Sequence, residues 1–144
     1  MDDAEILYKQ TYKISGRDFV NAGSVSVKIK KILKEIGIRP EVIYRVSICC
    51  YEAEMNVVMY AMLGMMDFTI TENEVIINLE DEGPGIPDIE KAMQEGYSTA
   101  TQEIREMGFG AGLGLPNIKK NSDEFKIESE VAKGTKLNFK IYIN

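Results

Sequence analysis

Histidine is absent from the 144 residues. That removes histidine general bases, most zinc sites and any phosphohistidine on the chain itself. Any chemistry falls to carboxylates, hydroxyls and a hard, oxygen-liganded metal. Only two cysteines occur, Cys49 and Cys50, side by side. Neighbouring side chains on a helix or strand point apart and seldom bridge, so a disulfide framework is excluded. Buried thiols on a helix and a cytoplasmic location are expected instead. No apolar run reaches the roughly eighteen residues that a membrane span needs, and the acidic, mixed start MDDAEILYKQ is unlike a signal peptide. Basic charge is also short: 17 Lys and Arg against 23 Asp and Glu give a net charge of −6. Nucleic acids and anionic membranes call for a basic surface, so neither is an expected partner. A phosphate ligand stays open, because backbone amides and a metal can hold one locally.

What is present is ordinary globular material, 44% apolar and 28% charged, sized for a single domain over residues 1–144. The pattern predicts a short strand at 10–14, then a helix over 18–36 with Phe19, Ala22, Val25, Ile29, Ile32, Leu33 and Ile36 at helical spacing. Gly37 stands where a C-terminal cap belongs. Pro40 suits the first turn of a second helix running to 63, with Gly64 beyond it. Strands are expected at 67–71 and 74–81, a helical turn or two at 88–93, a helix at 115–121, and strands at 125–131 and 136–143. In the last, Leu137, Phe139, Ile141 and Ile143 share one face. Early helices with locally pairing strands give an α+β chain: a two-layer sandwich of a mixed, mostly antiparallel sheet covered on one face by helices.

Three segments carry candidate chemistry. On the second helix, Glu52 and Asn56 stand four apart and share a face of an otherwise apolar stretch. They read either as a solvated or hydrogen-bonded pair, or as a carboxylate that positions a hydroxyl beside an amide oxygen for a hard cation. The run Asp81-Glu82-Gly83-Pro84-Gly85-Ile86 ends an apolar strand. It is a plain turn, or else a carboxylate placed at a mouth that backbone can approach closely. Finally, Gly108, Gly110, Gly112 and Gly114 alternate with Phe109, Ala111 and Leu113 and feed into a helix start. Freed amides there favour an anion. The segment is neither a dinucleotide fingerprint nor a P-loop. A methionine cluster (Met55, Met59, Met62, Met65, Met66) reads as adaptable core or as a partner-facing patch.

In this order, the segments resemble the GHKL (Bergerat-fold) ATPases, the histidine-kinase-like fold shared by gyrase, the Hsp90 chaperone, histidine kinases and MutL. Glu52-x-x-x-Asn56 resembles the N box, Asp81-x-Gly83-x-Gly85 the first glycine box, the glycines from Gly108 to Gly114 the lid, and Gly134-Thr135 the Gly-Thr that comes after the lid helix. The strings Gly96-Tyr97-Ser98-Thr99 and Gly112-Leu113-Gly114-Leu115-Pro116 resemble the bacterial anti-sigma-factor and switch serine/threonine kinases.

The resemblance implies a kinase that uses ATP and Mg²⁺ to phosphorylate a small STAS-type antagonist protein. Asn56 would ligate the metal. Asp81, with Thr135, would hold adenine, and Gly83, Gly85 and Ile86 would pass close to the base. Gly108, Gly110, Gly112, Leu113 and Gly114 would form the phosphate lid, and Glu52 would be the catalytic base. A sigma factor as second partner and a homodimer are further family options. An alternative is a non-catalytic, ATP-gated binding module that sequesters a sigma factor or other regulator. A third is a detached histidine-kinase catalytic domain acting on a phosphoacceptor in trans. Two departures stand out: residues 99–107 lengthen the lid, with no firm role for Arg105, and Tyr60 stands where many relatives carry histidine.

Overall fold

The computed structural model describes residues 5–94 and 114–144. Along them run β1 (Ile6–Ser15), α1 (Ser24–Ile36), α2 (Pro40–Tyr60), β2 (Leu63–Thr71), β3 (Glu74–Glu82), α3 (Ile89–Ala92), α4 (Gly114–Asn121), β4 (Glu124–Glu130) and β5 (Gly134–Tyr142). The strands make a five-stranded sheet in the order β1-β2-β3-β5-β4. All four pairings are antiparallel, so the α+β expectation holds with no parallel pair among the described residues.

Alternation decides the layers. Met66, Phe68 and Ile70 of β2, Val75, Ile77 and Leu79 of β3, and Leu137, Phe139 and Ile141 of β5 are buried together with Ile29 and Leu33 of α1, Val46 of α2 and Ile118 of α4. Each large apolar side chain removed from water contributes roughly 1.5–3 kcal/mol, which far outweighs local propensity. Ile143 lies past the end of β5 and is only half-buried. The opposite face of the sheet is polar. Thr11 donates to Asp67, Asn138 to Asn78, and Lys136 sits 3.8 Å from Glu80.

Several boundaries move from expectation, each for a tertiary reason. β1 is twice as long as its alternation suggested, because β2 offers it a partner from Thr71 back to Leu63. Helix α1 begins at Ser24 and not at 18. Asp18 folds back onto the Asn21 amide (3.3 Å) and Gly23 takes a left-handed φ of 92°. No side chain of α1 caps its start. The buried carboxylate of Glu54 on α2 does so, accepting from the amides of Gly23 (3.0 Å), Val25 (3.2 Å) and Ser26 (2.9 Å) and from Ser26 Oγ (2.7 Å). Gly37 ends α1 as expected, its amide donating to Leu33 and Lys34.

Helix α2 stops at Tyr60, three residues early, because the sheet captures the chain from Met62 onward. Met62 donates to Glu82 O (2.7 Å) and accepts from Gly16 N (2.9 Å). The methionine cluster therefore splits. Met55, Met59 and Met66 are core, and Met62 and Met65 are exposed. Cys49 and Cys50 are buried free thiols, as expected, and burial pushes the Cys49 thiol up to about 12.

Candidate functional site

The middle of α2 supplies the first half of the site. Glu52 and Asn56, one turn apart, are each half-buried. The start of α4 lies directly on them: a β-carbon at Gly114 would sit 3.2 Å from Asn56 Oδ1 and 3.2 Å from Glu52 Oε2. One turn further along α4, the Asn117 side chain hydrogen-bonds the Glu52 carboxylate. Burial raises the Glu52 pKa above its ordinary value, and the bond from Asn117 partly offsets that rise. A carboxylate held partly desolvated and oriented by an amide can position a hydroxyl and take its proton.

The end of β3 supplies the second half. Asp81 Oδ1 accepts the Thr135 amide at 3.0 Å. Burial raises the Asp81 pKa as well, again partly offset by that backbone bond. The Gly134 backbone is pressed on the Asp81 carbonyl, where a β-carbon would come within 1.9 Å of the oxygen. The turn after Asp81 is stitched to the hairpin between β4 and β5. Gly83 donates to Lys133 O (3.1 Å), Ala132 donates to Pro84 O (2.9 Å), and Ile86 donates to Ser129 Oγ (2.8 Å). Ser129 Oγ in turn lies 2.8 Å from Thr135 Oγ1, and the two hydroxyls share a hydrogen bond. Gly85, at φ 74°, runs against the Glu130 carbonyl, which a β-carbon would approach to 2.3 Å. Only glycine takes that conformation without strain and also fits the space.

The halves meet at Ala61. A β-carbon on Gly83 would be 3.0 Å from Ala61 Cα, and Ala61 is five residues past Asn56, about 8 Å along a helix axis. Glu52, Asn56 and Gly114 thus share one contact in the middle of α2, and Asp81, Gly83, Gly134 and Thr135 a second that reaches Ala61 at its C-terminal end. Gly85 and Ile86 lie against Glu130 and Ser129 of the β4–β5 hairpin. Gly108, Gly110, Gly112 and Leu113, with Arg105, lie outside the described residues.

Two residues of the site escaped the reading of the sequence. Asn117 was legible in principle, three residues after Gly114 and hence one helical turn away. Ser129 was not, since only the register that pairs it with Thr135 brings its hydroxyl to the glycine turn.

Among the described residues, no cluster of three or more His, Cys, Asp or Glu could hold a metal. The donor set at Asn56 fits a different arrangement, one amide oxygen with the remaining positions left to phosphate and water, as Mg²⁺ prefers. Also among them, no helix is long and apolar enough to cross a membrane.

Known proteins resemble this chain in sequence and in fold. Residues 41–144 match the family of histidine kinase-, DNA gyrase B-, and HSP90-like ATPases. The chain is 32% identical over 112 residues to the serine/threonine-protein kinase RsbT of Bacillus subtilis, covering 75% of this chain and 78% of that one. It is 39% identical over 74 residues to the anti-sigma F factor of Caldanaerobacter subterraneus, covering 51% of this chain and 48% of the relative, so it spans only about half the length of that protein. The RsbU and RsbW domains of a Mycobacterium tuberculosis protein share the fold at a TM-score of 0.58 and 15% identity, over 92% of this chain and 32% of that one.

Proposed function

This chain belongs to the histidine kinase-, DNA gyrase B-, and HSP90-like ATPase family, among its switch-kinase and anti-sigma-factor members, and we propose that it is an ATP-dependent serine/threonine kinase acting on a small STAS-type regulator. The observation that carries this reading is Glu52, seated one turn before Asn56 and oriented by Asn117. A module that only binds nucleotide needs Asn56 and Asp81 but has no use for that carboxylate.

In this reading Asp81 Oδ2 accepts the adenine amino group while Oδ1 stays on the Thr135 amide. Thr135 Oγ1 and Ser129 Oγ flank the same edge. Gly83 and Gly85 let the backbone pass beside the base. Asn56 Oδ1 is the protein ligand for Mg²⁺, which when bound neutralises charge on the phosphates. Gly108, Gly110, Gly112, Leu113 and Gly114 are assigned to the phosphates by their resemblance to the family's lid. Glu52 orients the acceptor hydroxyl and takes its proton as the oxygen bonds to the γ-phosphorus and ADP leaves with the bridging oxygen. Positioning and charge neutralisation dominate phosphoryl transfer, so a half-buried carboxylate suffices and no histidine is required. A cytoplasmic location accords with the two reduced, buried cysteines. A sigma factor as second partner and a homodimer belong to the same proposal.

The test is transfer of label from γ-labelled ATP, with Mg²⁺, to a STAS-type protein. The parent chain should label it. Glu52→Ala should bind nucleotide as the parent does and label nothing. Equal labelling by the two would remove Glu52 as base, and binding without labelling by both would leave an ATP-gated module.

A further inference from the structure

Helix α1 carries a charge that the rest of the chain does not. Lys28, Lys30, Lys31 and Lys34 against the single Glu35 give Ser24–Ile36 a charge of 4 − 1 = +3, on a chain of net −6. All four lysines are exposed. None pairs with a carboxylate among the described residues, where the ion pairs use Arg39, Arg45, Lys126, Lys133, Lys136 and Lys140. Among the described residues, a protein with an excess of acids thus leaves its most basic helix without an ion pair.

Beside those lysines runs a groove of about 670 Å³ between α1 and α2. Lys30 and Lys34 form one wall, and Ile38, Ile43, Tyr44 and Tyr51 give it an apolar lining. Tyr44 is 66% exposed and Tyr51 40% exposed. Ser47, also on the lining, holds the one buried side-chain oxygen without a hydrogen-bond partner among the described residues. The groove also runs to Glu52.

We propose that this groove docks an acidic amphipathic helix of the protein substrate, with the acceptor hydroxyl carried to the end where Glu52 stands. The inference rests on the kinase reading above and adds where and by what chemistry the substrate is held. Lys30 and Lys34 are one helical turn apart, matching carboxylates spaced one turn apart on a facing helix. The apolar face of such a helix fills the space against Ile43, Tyr44 and Tyr51, the usual mode of helix-in-groove recognition. The apolar lining and the net charge of −6 disfavour a nucleic acid or an anionic membrane as occupant.

The experiment compares the full chain with its Lys30→Glu/Lys34→Glu and Tyr44→Ala variants. It measures KM for the STAS-type protein, KM for ATP, and direct binding of that protein. Both variants change exposed side chains, and retained ATP affinity reports that they are folded. The expected result is a rise of at least tenfold in KM for the protein and in its dissociation constant, with KM for ATP unchanged. A parent chain that transfers phosphate with the same protein KM as both variants overturns the groove and leaves the kinase reading intact. A parent that binds the protein through Lys30 and Lys34 yet transfers nothing keeps the groove and overturns the kinase reading. Binding of a short DNA duplex or of anionic vesicles that the charge reversal abolishes, with protein KM unmoved, assigns the lysines to another ligand and overturns the docking proposal.

Discussion

Asn117 on α4 hydrogen-bonds the carboxylate of Glu52 on α2, tying the start of the helix after the lid segment to the proposed base. That bond lowers a pKa which burial raises. Removing it with Asn117→Ala leaves burial unopposed, so Glu52 gains its proton at higher pH. The acid limb of the pH–rate profile should move upward, with KM for ATP little changed. An unmoved acid limb would separate Asn117 from the base.

Glu52 and Asp81 both have folded pKa values above their ordinary values of 4.5 and 3.8, chiefly through desolvation. For a carboxylate shifted in that sense, the folded state binds protons more readily than the unfolded one. Above the folded pKa each ionised group therefore costs stability, and the cost vanishes as pH falls below the unfolded value. Asp81→Asn, whose Oδ1 can still accept from Thr135, should raise the nucleotide-free melting temperature at pH 7. That gain should shrink toward pH 4. A variant less stable than the parent at neutral pH would contradict this.

Gly114 lies against both Asn56 and Glu52. Gly114→Ala places a methyl 3.2 Å from an oxygen of each, while alanine favours helix over glycine by up to about 1 kcal/mol. The melting temperature should hold or rise, and phosphoryl transfer should fall at least tenfold. Transfer at the parental rate would show that the start of α4 does not border the reacting groups.

Glu54 does a different job from Glu52 two residues earlier. It accepts from three amides and one hydroxyl at the start of α1. Glu54→Ala strands those donors at a buried helix end and should cost on the order of 3 kcal/mol in urea unfolding, given about 1–3 kcal/mol for each buried group left unpaired. A loss below about 1 kcal/mol would mean that water replaces the carboxylate.

What the sequence disclosed depended on whether a feature was local. The period of α1 and the caps at Gly37 and Pro40 are local, and they stood where expected. So did the inward face made by Leu137, Phe139 and Ile141. The end of α2 was not local. Residues 61–63 continue a helical pattern, and only the bonds of Met62 to Gly16 and Glu82 draw them into the sheet. The site divides the same way. Glu52, Asn56, Asp81, Gly83 and Thr135 were legible as candidates because each sits in a short ordered motif. Ser129 sits in none, and reaches Ile86 only through strand register. Glu54 carries no local signal of its capping role, because its partners lie about thirty residues back along the chain.

The account turns on whether Asn56 and Asp81, from opposite halves of the site, serve one nucleotide. Titration of the parent chain, Asn56→Ala and Asp81→Asn with ATP, in the presence and absence of Mg²⁺, measures this directly. The parent should bind ATP more tightly with Mg²⁺ than without. Asp81→Asn should lose roughly 1–3 kcal/mol of affinity in both conditions, and Asn56→Ala should lose the response to Mg²⁺ while keeping its metal-free affinity. Parental affinity and parental Mg²⁺ response in both variants would contradict the account.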